Sequence, residues 1–250
     1  MPLRFNEHLR IGKDPEEAAR LGADVLVDGL RHRPAGASVA LAGGSTPALL
    51  YKLLTKSPYR EQLPWSDIHW FWGDERTVPP DHANSNYRMA METLLGPLGA
   101  SADHIHRMPA DQPNRENAAA DYERTIRRHI PPGQNGIPAF DLILLGVGAD
   151  GHTASLFPRS TALHESARLV VPNYAPAPNA WRMTFTYPLL NAARHILFFV
   201  TGEQKAEIMR RILVDGDKNL PATALRDAAG QVTWVLDEAA ARLVHSLLNP

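Results

Sequence analysis

Four groups of residues in this sequence have the types and spacing for chemistry on a small anion. The first is Gly146-Val147-Gly148-Ala149-Asp150-Gly151-His152, directly after the apolar run Leu142 to Leu145. Such a run suits a strand buried on both faces, and the glycines at its end permit backbone angles that other residues resist. His152 is thereby set just past a strand's carboxyl end, where open α/β sheets bind their ligands. Thr153 to Leu156 reads as about one helical turn before Pro158. The positive end of a helix disfavours imidazolium, which keeps a histidine ready to take a proton. A carboxylate such as Asp74 or Asp150 acts in the opposite sense and orients the ring.

The second group, Gly43-Gly44-Ser45-Thr46-Pro47, follows the strand candidate Ser38 to Ala42 and precedes a helix over Ala48 to Leu54. Thr46 is the expected N-cap, with Pro47 at the first helical position. Strand, glycine pair, hydroxyl pair and helix together present free amides and a helix dipole to an anion, although an ordinary capped turn uses the same residues. The third group is Asp74-Glu75-Arg76, delivered by the aromatic strand candidate Ile68 to Trp72 and readable either as a site or as a solvated loop. The fourth is Lys205, in the first turn of a helix opened by Thr201-Gly202 and running to Leu213. A cation there opposes the helix dipole, which suits a lysine that meets an anion and equally a solvated one.

Two other chemistries fail their own requirements. Gly146, Gly148 and Gly151 spell G-x-G-x-x-G, but a dinucleotide site needs a full helix next and an acidic residue about 20 positions on. Pro158 stops the helix, and the next strand candidate, Leu169 to Val171, ends in Pro172-Asn173. His104 and His106 share one face of a short strand candidate, His104 to Met108, but two histidines without a third ligand are weak grounds for a metal. No metal and no cofactor are expected.

The elements that position these groups alternate along the chain. Helices are expected over Asp14 to Arg31, Asn86 to Leu95 and Glu116 to Ile130, with a short turn at Pro188 to Ala193. Further strands are expected at Trp181 to Tyr187, His195 to Val200 and Val232 to Leu236. Asp237 caps a last helix whose Ala240, Leu243, Val244 and Leu247 face inward, and Pro172 to Ala180 reads as a Pro-rich loop at a pocket edge. With no repeat or linker, the 250 residues read as a single α/β domain over 1–250, with a mostly parallel, doubly wound sheet and helices on both faces. Lys and Arg total 26 against 27 Asp and Glu, so no basic excess points to nucleic acid or an anionic membrane. Cysteine is absent, which removes disulfides and thiolate chemistry. The first residues lack an apolar signal core and no stretch reaches the ~18 apolar residues of a membrane span, so a soluble cytoplasmic protein is expected.

In a doubly wound sheet the strand ends line one edge, so an anion cradle, an Asp/Arg pair, a lysine and a histidine meet in one crevice. The implied substrate is a small phosphorylated molecule. LAGGSTPALLY, GDERTVPPDHANSNY and GVGADGHTASLFP closely resemble the three signatures of 6-phosphogluconolactonases. PNRENAAADYE, WRMTFTYPLLNAARHILFFVTGEQKAEI and LPATALR extend the resemblance over nearly the full length, in order. The related glucosamine-6-phosphate deaminases share the GGSTP and DGH elements, but keep a catalytic glutamate where this chain has Phe157, and read D-E-Y at Asp74 to Arg76. The resemblance implies a Rossmann-type, ribose-isomerase-like (deaminase-like) fold and hydrolysis of 6-phosphoglucono-1,5-lactone, a sugar-phosphate lactone of the oxidative pentose phosphate pathway. It implies His152 as general base, Asp74 orienting His152 or a sugar hydroxyl, and Gly43, Gly44, Ser45, Thr46, Lys205 and Arg182 on the phosphate. Arg76 falls on the phosphate or the oxyanion. A monomer or weak homo-oligomer is expected. The rival readings are a glucosamine-6-phosphate deaminase/isomerase and a non-catalytic sugar-phosphate sensor.

Overall fold

The computed structural model describes residues 3–4, 7–31, 33, 36–176 and 179–244. In chain order the first half comprises β1 (Glu7–Gly12), α1 (Pro15–Arg31), β2 (Ser38–Leu41), α2 (Ser45–Leu54), β3 (His69–Trp72), β4 (Asp74–Arg76), α3 (Asn86–Ala90), α4 (Gly96–Leu98) and α5 (Arg115–His129). The second half comprises β5 (Leu142–Leu145), β6 (Val170–Ala175), β7 (Ala180–Phe185), α6 (Tyr187–Asn191), β8 (His195–Val200), α7 (Ala206–Arg210), α8 (Pro221–Ala224), β9 (Gln231–Asp237) and α9 (Glu238–Ala241).

Six strands pair in parallel in the order β1-β9-β8-β5-β2-β3. The central strands β2, β5 and β8 are buried at every residue, as their apolar runs require, with the polar first residues Ser38 and His195 buried as well. From β2 the chain moves outward to β3, then returns to the other side of β2 for β5 and continues outward to β8 and β9. Strand order therefore reverses between β2 and β5, and the crevice of a doubly wound sheet opens at their carboxyl ends. Helix α1 carries an apolar stripe, with Ala18, Val25, Leu26 and Leu30 buried against the sheet. Asp237 caps α9 by accepting from the Ala240 amide at 2.8 Å. Leu247 lies outside the described residues. At the far edge Glu7 and Arg226 form a fully buried, two-pronged pair at 2.7 and 2.8 Å, and the Trp234 indole N–H also donates to Glu7.

Several expectations are corrected. A second sheet, β4-β7-β6, is antiparallel and takes up segments read as loops. Asp74 to Arg76 is a strand in it, and the Pro-rich stretch from Pro172 supplies β6, because Pro172 and the alternation of Val171, Asn173 and Ala175 inward suit an edge strand. Thr153 to Leu156 is a tight turn rather than a helical one: Gly151 and Ala154 have positive φ, and the Thr153 hydroxyl donates to the Gly146 carbonyl at 2.9 Å. Helix α2 begins at Ser45 after Gly44, whose φ of 108° demands glycine, so Thr46 lies inside the first turn and is not the N-cap. His104 to Met108 forms no regular strand, only a bridge between Trp70 and Ile105 after a short 3₁₀ turn.

Candidate active site

The carboxyl ends of β2, β3, β5 and β8 open into one cleft of about 480 Å³, a usual size for a small-molecule site. It is lined by Gly43, Gly44, Ser45, Thr46, Asp74, Arg76, His152 and Lys205. Four separate sequence signals therefore meet in one place. Arg182 lies next door, with Arg76 and Trp181, in a continuation of the cleft that shares Gly44 and Ser45.

His152 is held by its own loop. Its Nδ1 lies 2.6 Å from Asp150 Oδ1, and its amide donates to the same oxygen at 3.2 Å. Burial raises the Asp150 carboxyl, but the hydrogen bonds and charge of His152 outweigh that, so Asp150 is held below its ordinary value and stays ionised. An ionised carboxylate only accepts, so Nδ1 carries a proton, and in the neutral tautomer Nε2 holds the lone pair. Phe157 closes the other side of the ring, with centroids 4.7 Å apart. Space for the imidazole comes from Gly148, where a Cβ would lie 2.1 Å from His152 Nδ1 and 2.2 Å from Cε1. The turn that follows His152 is not helical, so no helix starts at this residue.

Asp74 is not the partner of His152. Ser155 Oγ donates to its Oδ2 at 2.6 Å, and Asn86 Nδ2 donates to its carbonyl at 2.9 Å. Asn86 also accepts from Arg76 Nη1 at 2.5 Å, so one amide joins Asp74 and Arg76. Buried Glu75 fixes that amide by accepting from the backbone N–H groups of Arg76, Asn86 and Tyr87 and from the Ser85 hydroxyl. Burial raises the Glu75 carboxyl, while those amides pull it down. Gly43 has a specific reason to be glycine: a Cβ there would sit 1.8 Å from Asn86 Oδ1. The glycine pair thus admits Asn86 as well as leaving the amides of α2 open. Asn86 lay within a recognised signature, but its hub position depends on a cross-strand meeting that linear spacing does not reveal.

The cationic side of the cleft has three members. Lys205, half-buried, follows β8 in a 3₁₀ turn and reaches across to donate from Nζ to the Val147 carbonyl at 2.7 Å. Burial pushes its ammonium below the ordinary lysine range, with Asp150 opposing. Arg76 and Arg182 are direct cross-strand partners on β4 and β7. Burial, then the Arg76 charge, lowers Arg182, and its buried Nε has no hydrogen-bond partner among the described residues. Two adjacent guanidiniums and an ammonium in the cleft and its continuation, with the start of α2 beside them, have the chemistry to hold an anion.

Four imidazoles gather elsewhere, around the amino end of β3. His104 and His106 are joined there by His69 and His129, so the third ligand missing from the sequence argument is supplied by the fold. No described helix is long and apolar enough to cross a membrane.

The family model described as glucosamine-6-phosphate isomerases/6-phosphogluconolactonase matches residues 14–234. A 6-phosphogluconolactonase of Haemophilus influenzae is 40% identical over 209 residues, covering 82% of this chain and 87% of that protein. The human 6-phosphogluconolactonase is 41% identical over 211 residues, covering 83% and 80%. The solved structure of 6-phosphogluconolactonase from Trypanosoma brucei superposes with a TM-score of 0.85 at 30% identity, covering 96% of this chain and 99% of that one. The chain belongs to the glucosamine-6-phosphate isomerase/6-phosphogluconolactonase family.

Proposed function

We propose that the protein hydrolyses 6-phosphoglucono-1,5-lactone to 6-phosphogluconate, with His152 as general base. The observation that carries this reading is the pairing of an Asp150-oriented imidazole with a cationic, amide-lined pocket in one cleft. Nε2 of His152 takes a proton from water as the water oxygen attacks the lactone carbonyl carbon. The bond from that carbon to the ring oxygen then breaks, and the imidazolium returns the proton to the departing oxygen. The new carboxylic acid ionises, so each turnover releases one proton near neutral pH. General-base assistance of this kind contributes roughly 10²–10⁴-fold.

The 6-phosphate is assigned to the amides and hydroxyls of Gly43, Gly44, Ser45 and Thr46, with Lys205 and Arg182. Arg76 is assigned to the phosphate or the carbonyl oxygen as it gains charge, and Asp74 to a sugar hydroxyl. All these residues come from one chain, which supports an enzyme complete as a monomer or weak homo-oligomer, folded as one α/β unit over 1–250. We also propose a cytoplasmic setting; with no cysteine in the sequence, the fold uses no disulfide.

Lactone loss measured against the uncatalysed rate tests the reading. His152→Ala is expected to remove most of the acceleration while 6-phosphogluconate still protects the protein against thermal unfolding. Full activity in His152→Ala would reject the base assignment. Ammonia release from glucosamine 6-phosphate would instead favour a deaminase, against which the apolar Phe157 ring beside His152 argues.

A further inference from the structure

The histidine cluster lies far from the cleft along the sheet. His69 is the first residue of β3, whereas Asp74 lies five residues on, past its far end, roughly 16 Å away at ~3.3 Å per residue. His106 sits beside β3, its amide bonded to the Trp70 carbonyl at 2.9 Å and its ring stacked on Phe71 at 4.4 Å. His129 is the last residue of α5, and its ring centroid lies 4.3 Å from that of His106 and 5.3 Å from that of His69. His69 Nδ1 and His106 Nε2 face one another at 2.9 Å, and one nitrogen from each of the three rings lies within 4.8 Å of the others. His104 packs on His69 at 4.3 Å and is itself fixed by a 2.7 Å bond from Nδ1 to the Ser66 carbonyl.

We propose that His69, His106 and His129 form a binding site for a borderline divalent transition-metal ion, with zinc as the probe, at the amino end of β3. Three nitrogens about 2.0–2.1 Å from a tetrahedral ion lie roughly 3.3 Å from one another. The observed spacing brackets that value, so small side-chain rotations suffice: the His69–His106 hydrogen bond opens slightly and the His129 ring moves in. Imidazole-only ligation selects zinc, copper or nickel over magnesium or calcium, which need oxygen donors. The negative end of α5 favours a cation at His129. Burial and the neighbouring charges also hold all three rings toward the neutral form that a ligand requires. A bound ion would tie together β3, the segment at His106 and the end of α5.

The test is calorimetric titration of the chelator-stripped full-length protein with zinc chloride, with magnesium chloride as comparison and thermal unfolding in parallel. One zinc per chain, a raised Tm, no response to magnesium and at least about tenfold weaker binding in His129→Ala support the proposal. His129 lies outside the cleft, so lactone hydrolysis by His129→Ala is expected to match the parent and to show that the variant is folded. His152→Ala guards against binding at the cleft and is expected to keep the zinc affinity. Anomalous scattering at the zinc edge would place the ion among the three rings. No saturable zinc binding, or binding that His152→Ala abolishes and His129→Ala leaves intact, would overturn the proposal.

Discussion

A methyl group on Gly148 would stand 2.1 Å from His152 Nδ1, 2.2 Å from Cε1 and 2.7 Å from Asp150 Oδ1. Ordinary contacts at these atoms begin near 3.4 Å. Gly148→Ala therefore pushes the imidazole about 1.3 Å or more from its present place. The ring has somewhere to go, because its side chain is 32% exposed, but moving outward breaks the 2.6 Å bond to Asp150. Gly148 does not occupy the left-handed backbone region, so alanine brings no intrinsic strain and the fold is expected to persist. A displacement of about 1 Å costs on the order of 10²-fold in a reaction that depends on alignment, and complete loss of a base costs roughly 10²–10⁴-fold. The expected result is a kcat lower by about 10²-fold or more. The KM is expected to change far less, because the groups assigned to the phosphate sit on other strand ends.

Proton release at constant pH, corrected for spontaneous lactone opening, measures both parameters. The decisive comparison repeats the substitution in His152→Ala. If Gly148 acts only by making room for the base, the methyl group has nothing left to displace there, and the two substitutions are strongly non-additive. Equal losses in both backgrounds would refute the reasoning, as would parental kcat in Gly148→Ala alone.

Four further outcomes are expected. Lys205→Met removes a charged donor to the substrate and is expected to weaken substrate binding by about 10- to 100-fold, read as KM or as loss of ligand-induced thermal stabilisation. Arg226→Ala strands the Glu7 carboxylate in a fully buried place and is expected to cost about 3–5 kcal/mol in urea unfolding. Gly22→Ala adds a Cβ at ordinary contact, 3.6 Å from Leu50 and 3.8 Å from Phe199, in the interior of α1, and is expected to stabilise by about 0.5–1 kcal/mol. Burial, then the charges of His8, Arg10 and Arg33, pushes the His195 imidazole from the ordinary 6.5 down to about 4. The unfolded chain takes up that proton first, so this contribution is intact above pH ~6.5 and is lost as pH falls toward ~4; His195→Gln is expected to flatten that slope in denaturant midpoints.

The parallel sheet and its strand ends are legible because each central strand is a mostly apolar run with glycine within two residues of its end. Leu142 to Leu145 and His195 to Val200 have no other way to be satisfied. The edge strand β1 is not legible in the sequence because Glu7, His8 and Arg10 interrupt its apolar pattern, and the partners that let Glu7 be buried, Arg226 and Trp234, lie more than 200 positions away. The second sheet was hidden for a related reason. Asp74 to Arg76 carries no apolar signal, and its strand character exists only because β7 pairs with it from more than a hundred residues downstream. That pairing sets Arg76 against Arg182, and the Asn86 amide then joins Arg76 to Asp74. The consequence for function is a division of labour that no single motif contains. The loop after β5 is self-sufficient, since Asp150, Gly148 and Phe157 orient His152 without help from other strands. The anion side is assembled from β2, β4, β7 and the start of α7, and needs Gly43 to be bare for Asn86 to fit. Damage to the β5 loop therefore belongs in kcat. Damage to the Asn86 hub moves the Arg76 guanidinium and the Asp74 carboxylate together, so it belongs in KM and kcat at once.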